Sequence, residues 1–126
     1  MSTSDFNLHD SRFMRVEHIQ MELWRLECSP ATSSSAGVFF EDLLEEMERL
    51  IRDYSLADFD AAKLEAEGPA QDLLFYHFLI NVRAFVSDYR IITFGEISER
   101  LSRVRKSASA FMAEWSGLSA VSRRLR

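Results

Sequence analysis

The sequence predicts an all-α fold, namely a single-domain bundle of four long helices and one short helix. Apolar residues recur at three- and four-residue steps over four long segments, which is the period of an amphipathic helix. The chain has only 4 Gly and 2 Pro, too few for the many turns of a strand-rich sandwich or barrel. Its 126 residues, with 47% hydrophobic and 28% charged side chains, suit one globular domain over residues 1–126.

The first helix is predicted over residues 11–27, with Asp10 as its N-cap, because a carboxylate can accept from the free N–H groups of a first turn. Its apolar stripe comprises Phe13, Val16, Ile19, Leu23 and Leu26, with Trp24 at the edge. Other faces are expected to carry Glu17, Glu22 and Arg25. Residues 1–9 are expected to be flexible.

A Ser-rich loop is predicted over residues 28–37, since Pro30 and three consecutive serines favour turns. The second helix, predicted over 38–54, has an apolar stripe of Phe39, Phe40, Leu43, Leu44, Met47, Leu50, Ile51 and Tyr54. The opposite face carries Glu41, Glu45, Glu48 and Arg52, with Glu41 and Asp42 expected in the first turn. The four-residue spacing predicts Glu45–Arg49 and Glu48–Arg52 ion pairs.

A short helix is expected to follow, capped by Asp58 or Asp60 and ending near Glu67, with Gly68 as its stop. The third long helix, over 69–89, is apolar around most of its circumference, so we predict that it is central. Three of its polar residues, His77, Asn81 and Asp88, fall along one narrow line. We interpret them as hydrogen-bonded core groups or an exposed strip rather than as a polar pocket.

Thr93 and Glu96 have capping-box spacing and predict the start of the fourth long helix. Its seam runs through Phe94, Ile97, Leu101, Val104, Ala108, Phe111 and Trp115. This heptad-like pattern is compatible with the core of a monomer or with a homodimer. Gly117 is expected to end the helix, and residues 118–126 are expected to form a flexible basic tail.

The charge is segregated along the chain, although the formal net charge is only −5. Residues 1–89 carry 7 basic and 17 acidic side chains, whereas residues 90–126 carry 8 basic and 3 acidic ones. This layout predicts two charged surfaces that steer association with other molecules. The first is an acidic face of Glu41, Glu45 and Glu48. The second is a basic set of Arg100, Arg103, Arg105, Lys106, Arg123, Arg124 and Arg126.

No motif for metal binding or nucleophilic catalysis is present in the sequence. The candidate ligands His9, His18, His77 and Cys28 do not lie at helical metal-site spacing from one another. A lone cysteine excludes an intrachain disulfide, and no Ser or Cys nucleophile motif occurs. We therefore expect no enzyme activity, no metal and no cofactor.

Two alternatives remain open. Arg12 and His18 are separated by five residues, a spacing that resembles the Arg–His motif of the all-α HEPN ribonucleases, although the residue after the arginine is Phe13 rather than a polar one. The other alternative is a nucleic-acid-binding regulator. In it, residues 93–112 would form a helix-turn-helix-like unit flanked by the basic residues. One continuous helix explains the seam more simply.

The leading hypothesis is a small non-catalytic protein that binds another protein as an adaptor, regulator or inhibitor. An inhibitor of a basic toxin or nuclease is one concrete version, in which the acidic face covers a cationic site. Trp24 or Trp115 would supply the apolar anchor that charged patches lack. With one cysteine, no targeting signal and no apolar run long enough for a membrane span, we expect a cytoplasmic protein without membrane contact.

Overall fold

The computed structural model describes the backbone of residues 3–28 and 34–124 and the side chains of residues 12–28 and 37–115. The chain forms helices α1 (Thr3–Cys28), α2 (Ser34–Asp53), α3 (Ala61–Glu67), α4 (Ala70–Asp88) and α5 (Phe94–Arg124), with a 3₁₀ turn at Leu56–Asp58. No strand occurs within these backbone ranges. The predicted all-α bundle of four long helices and one short helix is confirmed.

The four long helices form an up-and-down bundle in which each has two long neighbours, in the cyclic order α1, α2, α4, α5. Neighbours run antiparallel, so that Arg15 of α1 meets Asp53 at the end of α2, and Asp88 at the end of α4 meets Arg100 early in α5. α1 therefore lies diagonally opposite α4, and α2 diagonally opposite α5. Because of this order, the ends of α1, α2 and α5 can surround a common space.

One hydrophobic core draws on all four long helices. α4 packs against α2, α3, α5 and the 3₁₀ turn. It occupies one corner of the bundle and exposes His77, Ile80 and Arg83, so it is not enclosed by the other helices as predicted. At the centre of the core Phe75 is fully buried, with its ring centroid 5.1 Å from that of Tyr54 and 5.4 Å from that of Phe111. The remaining core residues are Val16, Ile19, Leu23, Leu43, Leu44, Met47, Leu50, Phe78, Leu79, Val82, Phe85, Val104 and Ala108. They are the apolar residues whose spacing predicted the four helices.

The short elements between α2 and α4 have local caps. The Asp60 carboxylate accepts from the Lys63 N–H at 3.2 Å, so the predicted cap of α3 is confirmed. Gly68 is the C-cap of α3, as predicted. The 3₁₀ turn was not predicted; it is capped by Ser55, whose hydroxyl accepts from the Ala57 N–H.

Three predicted boundaries are wrong. α1 begins at Thr3, so Asp10 lies inside the helix and is not its N-cap. α2 begins at Ser34, which shortens the predicted loop and leaves no acidic residue in the first turn. α5 continues through Gly117, since the cost of one glycine, about 1 kcal/mol, does not by itself end a helix. The flexibility predicted for residues 1–9 and 118–126 stays a prediction, and residues 29–33 lie outside the described range.

Three side chains differ in burial from the predicted pattern. Glu22, expected on an outer face, is only 7% exposed. Phe94, expected in the α5 seam, is 85% exposed and stands at the first residue of α5. Trp24, at the edge of the α1 stripe, is 64% exposed. Two large aromatic side chains are therefore available at the surface.

Candidate protein-binding surfaces

An apolar groove of about 500 Å³ lies at the end of the bundle where α1 ends and where α2 and α5 begin. α2 and α5 are diagonal in the bundle, so their first turns do not close against each other there. The walls of the groove are Leu23, Leu26, Phe40, Ile97 and Leu101, with Phe94 at its margin. Glu27, Gly37, Ser98 and Ser102 complete the lining. A concave, mostly apolar site with a few polar groups is typical of a binding site.

The three predicted acidic residues of α2 share one exposed face. Glu41, Glu45 and Glu48 lie within an arc of about 60° around the helix axis, and all three side chains are exposed. Glu45 pairs with Arg49 at 3.2 Å, as predicted. The predicted Glu48–Arg52 pair is not formed. Glu41 and Glu48 make no ion pair with any described residue, so their charges remain available.

The acidic face begins beside the groove. Gly37 lines the groove, and Glu41 follows it by one helical turn on the same side of α2. Glu27, more than half exposed, adds a carboxylate on the α1 side of the groove and is paired with Arg105. An apolar cavity and a negatively charged helix face therefore form one continuous surface.

The predicted basic set does not form one face. Arg105 projects about 160° away from Arg103 around the α5 axis, since they are two residues apart. Arg105 pairs with Glu27 of α1, and Arg103 with Glu99 of the preceding turn at 2.7 Å. Lys106 is exposed.

Arg100 pairs with Asp88 of α4 at 2.8 Å, so three of the predicted arginines are engaged by carboxylates of the same chain. The side chains of Arg123, Arg124 and Arg126 lie outside the described residues. The partners of these three arginines lie on α4, α5 and α1, and none lies on α2. α2 and α5 are diagonal, so the acidic and basic helices do not pack together.

The helix-turn-helix interpretation of residues 93–112 is wrong. Residues 94–124 form one continuous helix, begun by the Thr93 hydroxyl, which accepts from the Glu96 N–H at 3.2 Å. Without a turn after Leu101 there is no separate recognition helix to enter a major groove. This geometry leaves nucleic-acid binding without its predicted structural basis.

The structure does not bring Arg12 and His18 together. Six residues apart on α1, they project about 120° from each other. Arg12 donates to Asp72 at 3.1 Å and lies over the Phe75 ring, whereas the exposed His18 faces Glu22 at 3.7 Å. Within one chain the two side chains therefore form no joint site.

Two of the three residues in the predicted polar line of α4, Asn81 and Asp88, form side-chain hydrogen bonds. Asn81 donates to the hydroxyl of Ser107 and to the backbone carbonyl of His77, and Asp88 accepts from Arg100. The His77 side chain is exposed. Among the described residues no group of three or more His, Cys, Asp or Glu side chains is placed to hold a metal ion, and Cys28 is a free, exposed thiol.

Of the two proposed anchors, Trp24 is exposed and Trp115 is not. Trp115 packs at 5.8 Å from Phe13 and 6.1 Å from Phe111, centroid to centroid. Sequence reasoning missed the groove and the exposure of Phe94, because both depend on how three helix ends are arranged. The available signal was that the apolar seams of α1, α2 and α5 continue to those ends.

No family model, curated protein or solved structure shows a significant match to this chain. No helix within the described ranges is long and apolar enough to cross a membrane.

Proposed function

We propose that this protein is a non-catalytic protein-binding module that acts as an adaptor, regulator or inhibitor in the cytoplasm. Its partner is a protein that presents an apolar anchor flanked by basic residues. The observation that carries the proposal is the groove of about 500 Å³ with the 85% exposed Phe94 at its margin. A solvent-exposed phenylalanine beside an apolar cavity is the kind of surface that protein partners cover.

The acidic face supplies the negative charge that would attract a basic partner to the groove. Glu41 and Glu48 are exposed and make no ion pair with the described side chains, whereas three arginines of the basic set are already paired. This difference favours a basic protein partner over a nucleic acid. An inhibitor that covers the cationic site of a toxin or nuclease is the most concrete form of the proposal. Such faces mainly raise the association rate, while the groove slows dissociation.

The test compares partner capture by the wild type with capture by two variants. Purified chain is used to recover binders from a native lysate, and protein and nucleic acid are both identified. Phe94→Asp places a charge at the margin of the groove, and a triple variant, Glu41→Lys, Glu45→Lys and Glu48→Lys, reverses the acidic face. We expect both to lose the same basic protein. Capture of nucleic acid instead, with no dependence on either variant, would contradict the proposal.

Matched controls separate this site from nonspecific effects. Ile91→Asp introduces the same charge at an equally exposed residue (82%) that does not line the groove. Asp58→Lys, Glu65→Lys and Glu67→Lys make the same change in net charge at the opposite end of the bundle. Both controls should retain the partner. With the purified pair, the acidic-face variant should slow association about tenfold at low salt.

A further inference from the structure

α1 is apolar on two opposite faces, and the bundle covers only one of them. Val16, Ile19 and Leu23 are buried in the core. On the outward face Met14, Met21 and Trp24 are exposed by 65%, 58% and 64%. A stripe of large apolar side chains on the solvent-facing side of a helix is typical of an interaction surface.

The stripe has the spacing of a coiled-coil seam. Met14, Met21 and Cys28 follow one another at seven-residue steps, and Trp24 lies three residues after Met21. Met14, Met21 and Cys28 take a positions of a heptad and Trp24 takes a d position, while the other d position is the charged Glu17. Positions a and d place side chains on one line along a partner helix. A partner helix running along α1 would therefore contact the whole stripe.

The outward face is arranged symmetrically about Met21. Glu17 lies four residues before it and Arg25 four residues after it, while Met14 and Cys28 lie seven residues to either side. In a two-fold pair a contact from residue i to residue j is repeated from j to i. An antiparallel copy of α1 centred on Met21 would set Glu17 opposite Arg25 of the second copy, and Met14 opposite its Cys28.

These charges are available for such a pair. Glu17 is exposed and makes no ion pair with any described side chain. Arg25 is 54% exposed; its contact with Glu22 is long, at 3.5 Å, and its guanidinium lies over the Phe39 ring, 5.9 Å from the centroid. A parallel pair would set Glu17 against Glu17 and Arg25 against Arg25, which is repulsive. Charge complementarity therefore selects both the partner, a second copy of this chain, and the antiparallel direction.

We propose that the protein forms a two-fold homodimer in which the outward faces of two α1 helices pack antiparallel around Met21. A groove of about 270 Å³ between α1 and α5, lined by Met21, Trp24 and Arg105 among others, adjoins the seam and extends the contact. None of the seam residues lines the groove at the end of the bundle. The dimer leaves that groove open and stands independently of the proposed function.

Sedimentation equilibrium measures the dimer directly. At about 0.1 mM chain, a dimer with a Kd of about 10 µM is mostly formed. Met21→Glu sets two carboxylates against each other on the axis, and we expect it to weaken dimerisation more than about a hundredfold with unchanged helicity. Ile91→Glu, at a more exposed residue (82% against 58%) on the α4–α5 turn, should dimerise like the wild type. A monomeric wild type, or a Met21→Glu variant that still dimerises, would overturn the proposal.

Charge exchange tests the pairing of Glu17 with Arg25. Glu17→Arg alone and Arg25→Glu alone should each weaken the dimer about tenfold, because two symmetric ion pairs are lost. The double variant restores both pairs with reversed sign and should recover most of the affinity. If the loss of dimer affinity in the double variant equals the sum of the losses in the two single variants, Glu17 and Arg25 do not meet across the interface.

Disulfide trapping tests the direction of packing. A tagged Met14→Cys, Cys28→Ser chain is mixed with untagged wild type, whose only thiol is Cys28. Under mild oxidation the antiparallel pair gives a disulfide between the tagged and untagged chains. Disulfides between like chains only would mean parallel packing and overturn the proposed arrangement.

Discussion

Arg12 of α1 and Asp72 of α4 form a salt bridge of 3.1 Å across the diagonal of the bundle. The guanidinium also lies over the ring of Phe75, 5.0 Å from its centroid. Both side chains are less than one-third exposed. The pair joins two long helices, α1 and α4, that lie diagonally opposite each other in the bundle, so Arg12 has a structural role whatever the protein binds.

We expect Arg12→Met to lower the free energy of unfolding by about 1–2 kcal/mol, because it removes the ion pair and the cation–π contact but keeps the apolar stem. Asp72→Asn should cost less, since the contact with Phe75 remains. A double-mutant cycle by urea denaturation measures the coupling. Additive effects of the two changes would show that Arg12 and Asp72 do not stabilise each other.

Phe75 and Phe94 both belong to the apolar patterns of their helices, but only Phe75 is buried (0% against 85% exposed). Phe75→Ala should therefore lower the free energy of unfolding by about 3–5 kcal/mol, through lost burial and the cavity left behind. Phe94→Ala should change it by less than about 0.5 kcal/mol. Equal losses in chemical denaturation would contradict the placement of Phe94 at the surface.

The sequence predicted where the helices lie better than it predicted where each of them begins and ends. The periodic apolar stripe of α2 and the long, nearly continuous apolar segment of α4 located both helices within a few residues, because burial of apolar side chains determines where a helix lies. The local cap at Asp60 was predictable for a similar reason, since it depends on residues three apart. The start of α1 at Thr3 was missed because its first turns carry no regular apolar stripe.

The candidate site was only partly predictable. Four-residue spacing placed Glu41, Glu45 and Glu48 on one face from the sequence alone. The groove beside them depends on three helix ends that are distant along the chain. The Glu27–Arg105 pair likewise joins helices that no local pattern relates. Long-range packing therefore decided which charges remain available to a partner.

Gly68 and Gly95 should respond in opposite ways to alanine. A Cβ at Gly68 would stand 2.7 Å from Cα of Leu64 and 2.9 Å from its carbonyl oxygen, so the backbone at the end of α3 has to shift. A Cβ at Gly95, in the first turn of α5, would meet nothing within 4 Å. We expect Gly68→Ala to lower the melting temperature and Gly95→Ala to raise stability by about 0.5–1 kcal/mol. A stabilising Gly68→Ala would contradict the close approach.

Glu22 is the buried acidic residue of the core region, and it is poorly satisfied. Its Oε1 lies 3.5 Å from Arg25 and 3.7 Å from His18, beyond good hydrogen-bond distance. Its Oε2 is buried without a hydrogen-bond partner among the described residues. Leaving such a group unpaired costs about 1–3 kcal/mol.

Glu22→Met keeps the length of the side chain and removes the unpaired oxygen, so we expect the free energy of unfolding to rise by about 1 kcal/mol. Glu22→Gln serves as the control, because it removes the charge but still buries two polar atoms, and it should gain less. Urea denaturation of the wild type, Glu22→Met and Glu22→Gln gives the order of their free energies of unfolding. If Glu22→Met were the least stable, its carboxylate would have to contribute more through Arg25 and His18 than their distances indicate.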